Sequence, residues 1–230
     1  MKNVEGGIAF RSWMTRSLSA TTKWWGSASS TIPFPKVEIE RIARVETEGF
    51  DAHAFRIHSL AGTYLETARH LFQNRETIDE VNPKRLFVRA WVAQLPEKQA
   101  LEQIGPEELG RAVGGKLAPG DALLIATGWD RQWNKPGFIE ECPYFGPGTM
   151  EWIVSQKISL LGIDVPSIQD PRTMEGDLTE LAMFYSENRL LLAPLVGLRE
   201  AGEDAWFLAA LPLRVPGTCS APCRALLFQP

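Results

Sequence analysis

Leu60-Ala61-Gly62-Thr63-Tyr64-Leu65-Glu66-Thr67-Ala68-Arg69-His70 is the stretch on which the reading of this chain turns. It lies between a strand expected over residues 52–59 and a polar loop over 73–80. Its Gly-Thr pair suits a tight change of direction, because glycine tolerates backbone angles that other residues avoid. One carboxylate and one imidazole follow, Glu66 and His70. Such a pair can move protons or hold a metal ion. A surface Glu and His with no shared task would fit the same spacing.

Outward from this stretch, the pattern is strand-rich. Residues 37–46 alternate with period 2 and slip by one at Ile42, which predicts a strand with a bulge. Gly49-Phe50-Asp51 reads as a turn. In the strand that follows, Arg56, His58 and Leu60 share one face. Residues 86–92 are a buried-strand candidate. Pro106 opens a helix with acids in its first turn, and Gly114-Gly115 closes it. Further helices are expected over 149–157 and 178–188, and further strands near 158–167, 190–195, 206–213 and 224–228. The run 130–147 reads as a loop carrying Trp133, Tyr144 and Phe145, and long aromatic loops beside strand ends are where binding residues tend to sit.

Composition narrows the function. The chain has 230 residues, 44% of them hydrophobic, enough for one sizeable core. Its net charge of −4 argues against nucleic acid as a partner. No apolar run reaches membrane-spanning length, and the first 22 residues lack the apolar core of a signal peptide, so a cytoplasmic protein without a membrane partner is expected. The three cysteines, Cys142, Cys219 and Cys223, read as ordinary reduced thiols. Residues 1–31 are expected to form a partly flexible extension and residues 32–230 one domain. Trp24-Trp25 in the extension suits either a pocket wall or a subunit contact.

Several of these segments together resemble the cyclase-like metal-dependent hydrolases, the family of bacterial arylformamidase (kynurenine formamidase). The family signature reads His-x-Gly-Thr-His-x-Asp-x-Pro-x-His. Gly62, Thr63 and His70 match it, while Leu60, Tyr64, Glu66 and Ala68 stand where the first His, the second His, the Asp and the Pro would be. Thr77-Ile78-Asp79, the run from Gly120-Asp121 to Thr127-Gly128-Trp129, and Gly162-Ile163-Asp164-Val165-Pro166-Ser167 resemble further family elements in order and spacing.

The resemblance implies an α/β fold, one strand-rich domain with a mixed sheet or barrel-like core and peripheral helices. It implies a hydrolase of amide, formamide or lactone bonds in small, aromatic substrates, associating as a homodimer or homotetramer. The family holds one or two divalent ions with His, Asp and Glu ligands. Here Leu60, Tyr64 and Ala193 replace ligands, and no His lies in residues 179–187. What carries over is His70 as acid/base with Glu66; Tyr64, in place of a ligand, is a candidate hydrogen-bond donor to a developing oxyanion. Trp129, Tyr144, Phe145 and Trp25 are the candidate substrate wall. A single Zn or Mn ion on His58, Glu66 and His70, with Asp164 as a fourth group, is the alternative to no ion bound in the binuclear mode. The competing function is a metal-free, inactive relative that binds a small molecule or serves a structural role.

Overall fold

Two apolar layers on opposite faces of one sheet set the architecture of this computed structural model, which describes residues 9–13, 35–173, 178–202 and 205–229. Strand β1 (Ala9–Trp13) precedes a separate hairpin of β2 (Glu38–Ala43) and β3 (Ala52–Arg56), with the single-turn helix α1 (Val45–Glu48) between them. The chain continues through β4 (Tyr64–Glu66), β5 (Phe87–Gln94), the short β6 (Gln103–Ile104), α2 (Pro106–Val113), β7 (Ala122–Ala126) and the short β8 (Tyr144–Phe145). Then come α3 (Thr149–Ser155), β9 (Leu160–Ile163), α4 (Thr179–Tyr185), β10 (Leu190–Ala193), β11 (Ala205–Pro212) and β12 (Ser220–Gln229).

The main sheet runs β12-β11-β5-β7-β9-β10-β4, and β4 pairs back onto β12, so the sheet closes on itself. Strands β5, β7, β9 and β10 are mutually parallel, while β4 and β11 run antiparallel to their neighbours. The long β12 divides one edge between two partners, β4 at residues 220–222 and β1 at residues 226–229. This closed, mixed barrel with few helices is the fold class read from the sequence.

Period-2 alternation sorts the strand residues between the layers. From β7, Ala122, Leu124 and Ala126 point into the barrel, and Leu123 and Ile125 point outward under α2, α3 and α4. From β10, Leu190 and Leu192 go inward, Leu191 and Ala193 outward. Each fully buried leucine contributes about 2 kcal/mol from removing apolar surface from water. The interior is tight at Gly162, where a Cβ would sit 2.8 Å from Leu195 Cδ1 and closer still to Leu124. Gly162→Val is therefore expected to destabilise the fold by about 1–3 kcal/mol through overpacking. A urea midpoint equal to that of the unsubstituted chain would contradict this packing.

Local structure departs from expectation in the 37–60 hairpin, in the loop 130–147 and in the N-terminal region. The strand expected over 37–46 ends at Ala43, with a register shift between Arg41 and Ala43, and its tail becomes α1, closed by Gly49 at φ 81°. The strand expected through residue 59 stops at Arg56. Beyond it Ala61 N donates to His58 O at 3.1 Å and Gly62 takes φ 69°, so the chain turns and the face that His58 and Leu60 were expected to share does not form. The loop 130–147 contributes β8, which pairs with β6. Of the region expected as an extension, residues 9–13 form β1; Trp24 and Trp25 lie outside the described residues. Among the described residues no helix is long and apolar enough to cross a membrane.

Candidate active site

Gly62 reverses the chain into β4, and Thr63 locks the reversal. Its hydroxyl donates to Pro194 O at 2.6 Å, and its carbonyl accepts from Cys223 N at 2.8 Å. β4 is paired on both sides, Glu66 lying opposite Leu191 of β10 and Ser220 of β12. Alternation sends Leu65 into the barrel and turns Tyr64 and Glu66 to the outer face. Glu66 is 3% exposed, so its charge needs partners. Its Oε1 accepts a hydrogen bond from the Tyr185 hydroxyl at the end of α4, and its Oε2 lies 3.1 Å from His70 Nδ1.

Thr67 brings the imidazole to that carboxylate. It caps the 3₁₀ turn Ala68–His70, its Oγ1 accepting from Arg69 N at 3.3 Å and its carbonyl from His70 N at 3.1 Å. The same residue fixes the start of β12: Thr67 N donates to Cys219 O at 2.9 Å, and its hydroxyl lies 3.1 Å from that oxygen. Cys219 Sγ thereby comes to 4.0 Å from His70 Nδ1 and 3.7 Å from Ser220 Oγ. His70 and Cys219, with Ser59, Arg69 and Leu71, line an open depression of about 500 Å³.

Charge follows from these contacts. Burial raises the Glu66 carboxyl, and His70 and Tyr185 only partly reverse it. Burial lowers the His70 imidazole, but the Cys219 contact and the Glu66 carboxylate outweigh it and hold it above its ordinary value. The imidazole side chain is 33% exposed against 4% for the carboxylate, so water helps to stabilise charge on His70, while charge on Glu66 depends on His70 and Tyr185. A histidine raised on folding stabilises the fold below its ordinary value of 6.5, and that contribution fades as pH rises through the raised value. The stability difference between the unsubstituted chain and His70→Gln, measured by urea unfolding, should therefore shrink from about pH 6 to about pH 9. A difference that grows over that interval would contradict the ion pair.

The thiols are not alike. The His70 contact lowers Cys219 against the opposing effect of burial. Burial pushes Cys142 up to about 12 and raises Cys223 further. Cys223 points into the barrel interior, so it does not act with Cys219 as a pair. Cys219 and Tyr185 are the two site residues that sequence reasoning missed.

The donor set does not fit the family's metal. Leu60 and Ala193 offer no ligand atom, and Tyr64 is 5% exposed and registered opposite Ala193 across β4 and β10. Burial raises the Tyr64 hydroxyl well above its ordinary range. Where the family's helix carries a His, α4 presents Tyr185, whose hydroxyl occupies Glu66 Oε1. Among the described residues no three His, Cys, Asp or Glu side chains are grouped to hold an ion, so His58, Glu66 and His70 are not assembled as a metal site. His58 belongs instead to the turn after β3. Asp164 is committed elsewhere: it accepts from Thr127 N, from Gly128 N at 2.8 Å and from Thr127 Oγ1 at 2.6 Å, tying the end of β9 to that of β7. Burial pushes it up to about 6.

The aromatic candidates serve the outer layer. Trp129 and Phe145 are buried in it, with Trp129 Nε1 donating to Phe138 O at 2.8 Å. The Tyr144 hydroxyl accepts from Arg172 at 2.7 Å and from Gln103 at 3.2 Å. None of the three lines the depression at His70.

Comparison with known proteins places the fold and the lineage. The profile of the family described as "Putative cyclase" matches residues 14–170. Kynurenine formamidase from Bordetella pertussis is 30% identical over 124 residues, 54% of this chain and 56% of that protein. The chain thus spans about half the length of the curated relatives it matches. An isatin hydrolase bound to the product analogue thioisatinate has a TM-score of 0.84 at 20% identity, covering 98% of this chain and 94% of that one. Isatin hydrolase A from Ralstonia solanacearum gives 0.87 at 17% identity, covering 97% and 92%. At such identities the solved structures establish the barrel, and the profile, spanning more than half of the residues, establishes the lineage: the chain belongs to the cyclase family.

Proposed function

We propose that this chain is a hydrolase that cleaves an amide or formamide bond of a small aromatic substrate, with His70 as its acid/base and without the family's metal ions. The observation that carries the reading is the 3.1 Å contact between His70 and a buried Glu66 at the rim of an open depression. The relatives' names, a kynurenine formamidase and isatin hydrolases, support the substrate class. Glu66 holds the Nδ1 side of the ring, which leaves Nε2 as the nitrogen for proton transfer to the reacting group. Apolar and phenolic side chains at the ligand positions support the metal-free part, since carboxylates and imidazoles left there without an ion would be costly to bury.

A second reading, a metal-free binding protein, is favoured by the Tyr185 hydroxyl on Glu66, which completes the carboxylate's partners without substrate. A panel of formamides, cyclic amides and lactones, assayed with chelator and with added Mn²⁺ or Zn²⁺, separates the two. Turnover that survives chelation supports the hydrolase. Turnover only with metal overturns the metal-free mechanism, and no turnover under any condition favours the binding protein. Self-association belongs to the same proposal: the β2–β3 hairpin exposes Ile39, Phe50 and Phe55, which a second copy would cover, and sedimentation at increasing concentration tests it.

A further inference from the structure

We propose that Cys219, seated against His70 in this depression, is a nucleophile that attacks the carbonyl carbon of the substrate. The inference deepens the hydrolase reading by supplying the attacking atom that a metal-bound water would otherwise provide. Four observations carry it. The residue is the one cysteine of the three that is not buried, and its neighbour cavity is open. Its sulfur faces an imidazole at 4.0 Å. Its backbone oxygen accepts from Thr67 N at 2.9 Å, and Thr67 also caps the turn carrying His70, so nucleophile and imidazole are positioned by one buried residue. The imidazole is in turn held by Glu66, so nucleophile, imidazole and carboxylate are grouped at one side of the ring. Arg69 also lines the rim, its guanidinium donating to Gln73 O.

The arrangement differs from a linear relay. Nδ1 faces both Glu66 and Cys219, so the ring stabilises a thiolate through that side and transfers protons through Nε2. In the first half-reaction the Cys219 thiolate forms a bond to the carbonyl carbon. The C–N bond breaks, and the leaving nitrogen takes the proton from His70 Nε2, giving an acyl thioester and a free amine. In the second, Nε2 takes a proton from water as the resulting hydroxide adds to the thioester. The C–S bond breaks, the thiolate and imidazolium are restored, and the product acid releases its proton to solvent. Water is the only co-reactant, and nothing is oxidised or reduced.

The test uses p-nitrophenyl acetate, an activated ester that reports acylation whatever the natural substrate. Mass spectrometry of the reacted chain should find an acetyl group on Cys219, with none on Cys142 or Cys223. The p-nitrophenolate burst should disappear in Cys219→Ser and fall at least about tenfold in His70→Gln, as expected when a thiol loses its activating imidazole. Cys219→Ala, with circular dichroism matching the unsubstituted chain, checks that loss of the burst is not loss of the fold. Acetyl groups only elsewhere, or an undiminished burst in His70→Gln, would overturn the proposal. Amide turnover at an undiminished rate in Cys219→Ser would overturn it too, while leaving the hydrolase reading in place. Acylation of Cys219 with no turnover of any amide would uphold the nucleophile and remove the hydrolase reading.

Discussion

The His70→Ala substitution is expected to lower amide turnover by about 10²–10⁴-fold, the range in which removing a positioned acid or base falls. Three contacts give the side chain its place: Glu66 Oε2 at 3.1 Å, Cys219 Sγ at 4.0 Å and the open depression. No other imidazole is grouped with Glu66 among the described residues, so nothing stands ready to replace it. The fold should survive, because His70 lies outside both apolar layers and is 33% exposed. Circular dichroism and melting of the variant check this, and activity per folded molecule is the deciding readout. If that activity is unchanged while the melting temperature falls, His70 only fixes the turn after β4.

Asp164→Ala should cost about 3 kcal/mol or more, because it strips acceptors from buried donors rather than removing an exposed charge. The Thr127 amide, the Gly128 amide and the Thr127 hydroxyl all bond to this carboxylate, which is 1% exposed. Burial of the charge, visible in a carboxyl pushed up to about 6, offsets part of this stabilisation, so the figure is smaller than the sum of three lost hydrogen bonds. For a chain of this size the loss corresponds to a melting temperature lower by about 6–12 °C. Thermal unfolding at neutral pH measures it. A melting temperature within about a degree of the unsubstituted chain would show that the carboxylate does not join β7 to β9 as described.

The fold was legible because its strands carry their own signatures. The five residues of β7 are all buried, and an unbroken apolar run bounded by Gly120-Asp121 and Thr127-Gly128 reports that directly. Helix α2 announces both ends, Pro106 at its start and Gly114 at φ 55° after its last turn. The Gly62 turn was legible for the same local reason. The site was only half legible, because half of it is made by closure of the barrel. Glu66 and His70 are four residues apart and meet through one capped turn, which spacing can suggest. Cys219 is 149 residues from His70 and arrives only because the start of β12 pairs with β4. Tyr185 is 119 residues from Glu66 and arrives on α4. No local pattern encodes either meeting. Cys219 and Cys223 both read as ordinary thiols in the sequence, and only the closed sheet separates them, sending Cys223 inside the barrel and leaving Cys219 beside His70. His58 was misplaced for a simple reason: strand alternation was extended two residues past Arg56, where the chain already turns. Trp129 and Phe145 were read as pocket residues from their type, but the outer layer between sheet and helices needs bulky rings as much as a substrate does.

The claim at the centre of this account is that a cyclase-family barrel carries a site built on Glu66, His70 and Cys219 in place of bound metal. Elemental analysis of the purified chain after dialysis against a chelator, paired with an amide assay of the same sample, tests it most directly. The account predicts far less than one divalent ion per chain and turnover undiminished by the chelator. One or two ions retained per chain, with turnover lost when they are stripped and restored when Mn²⁺ or Zn²⁺ is returned, would contradict it.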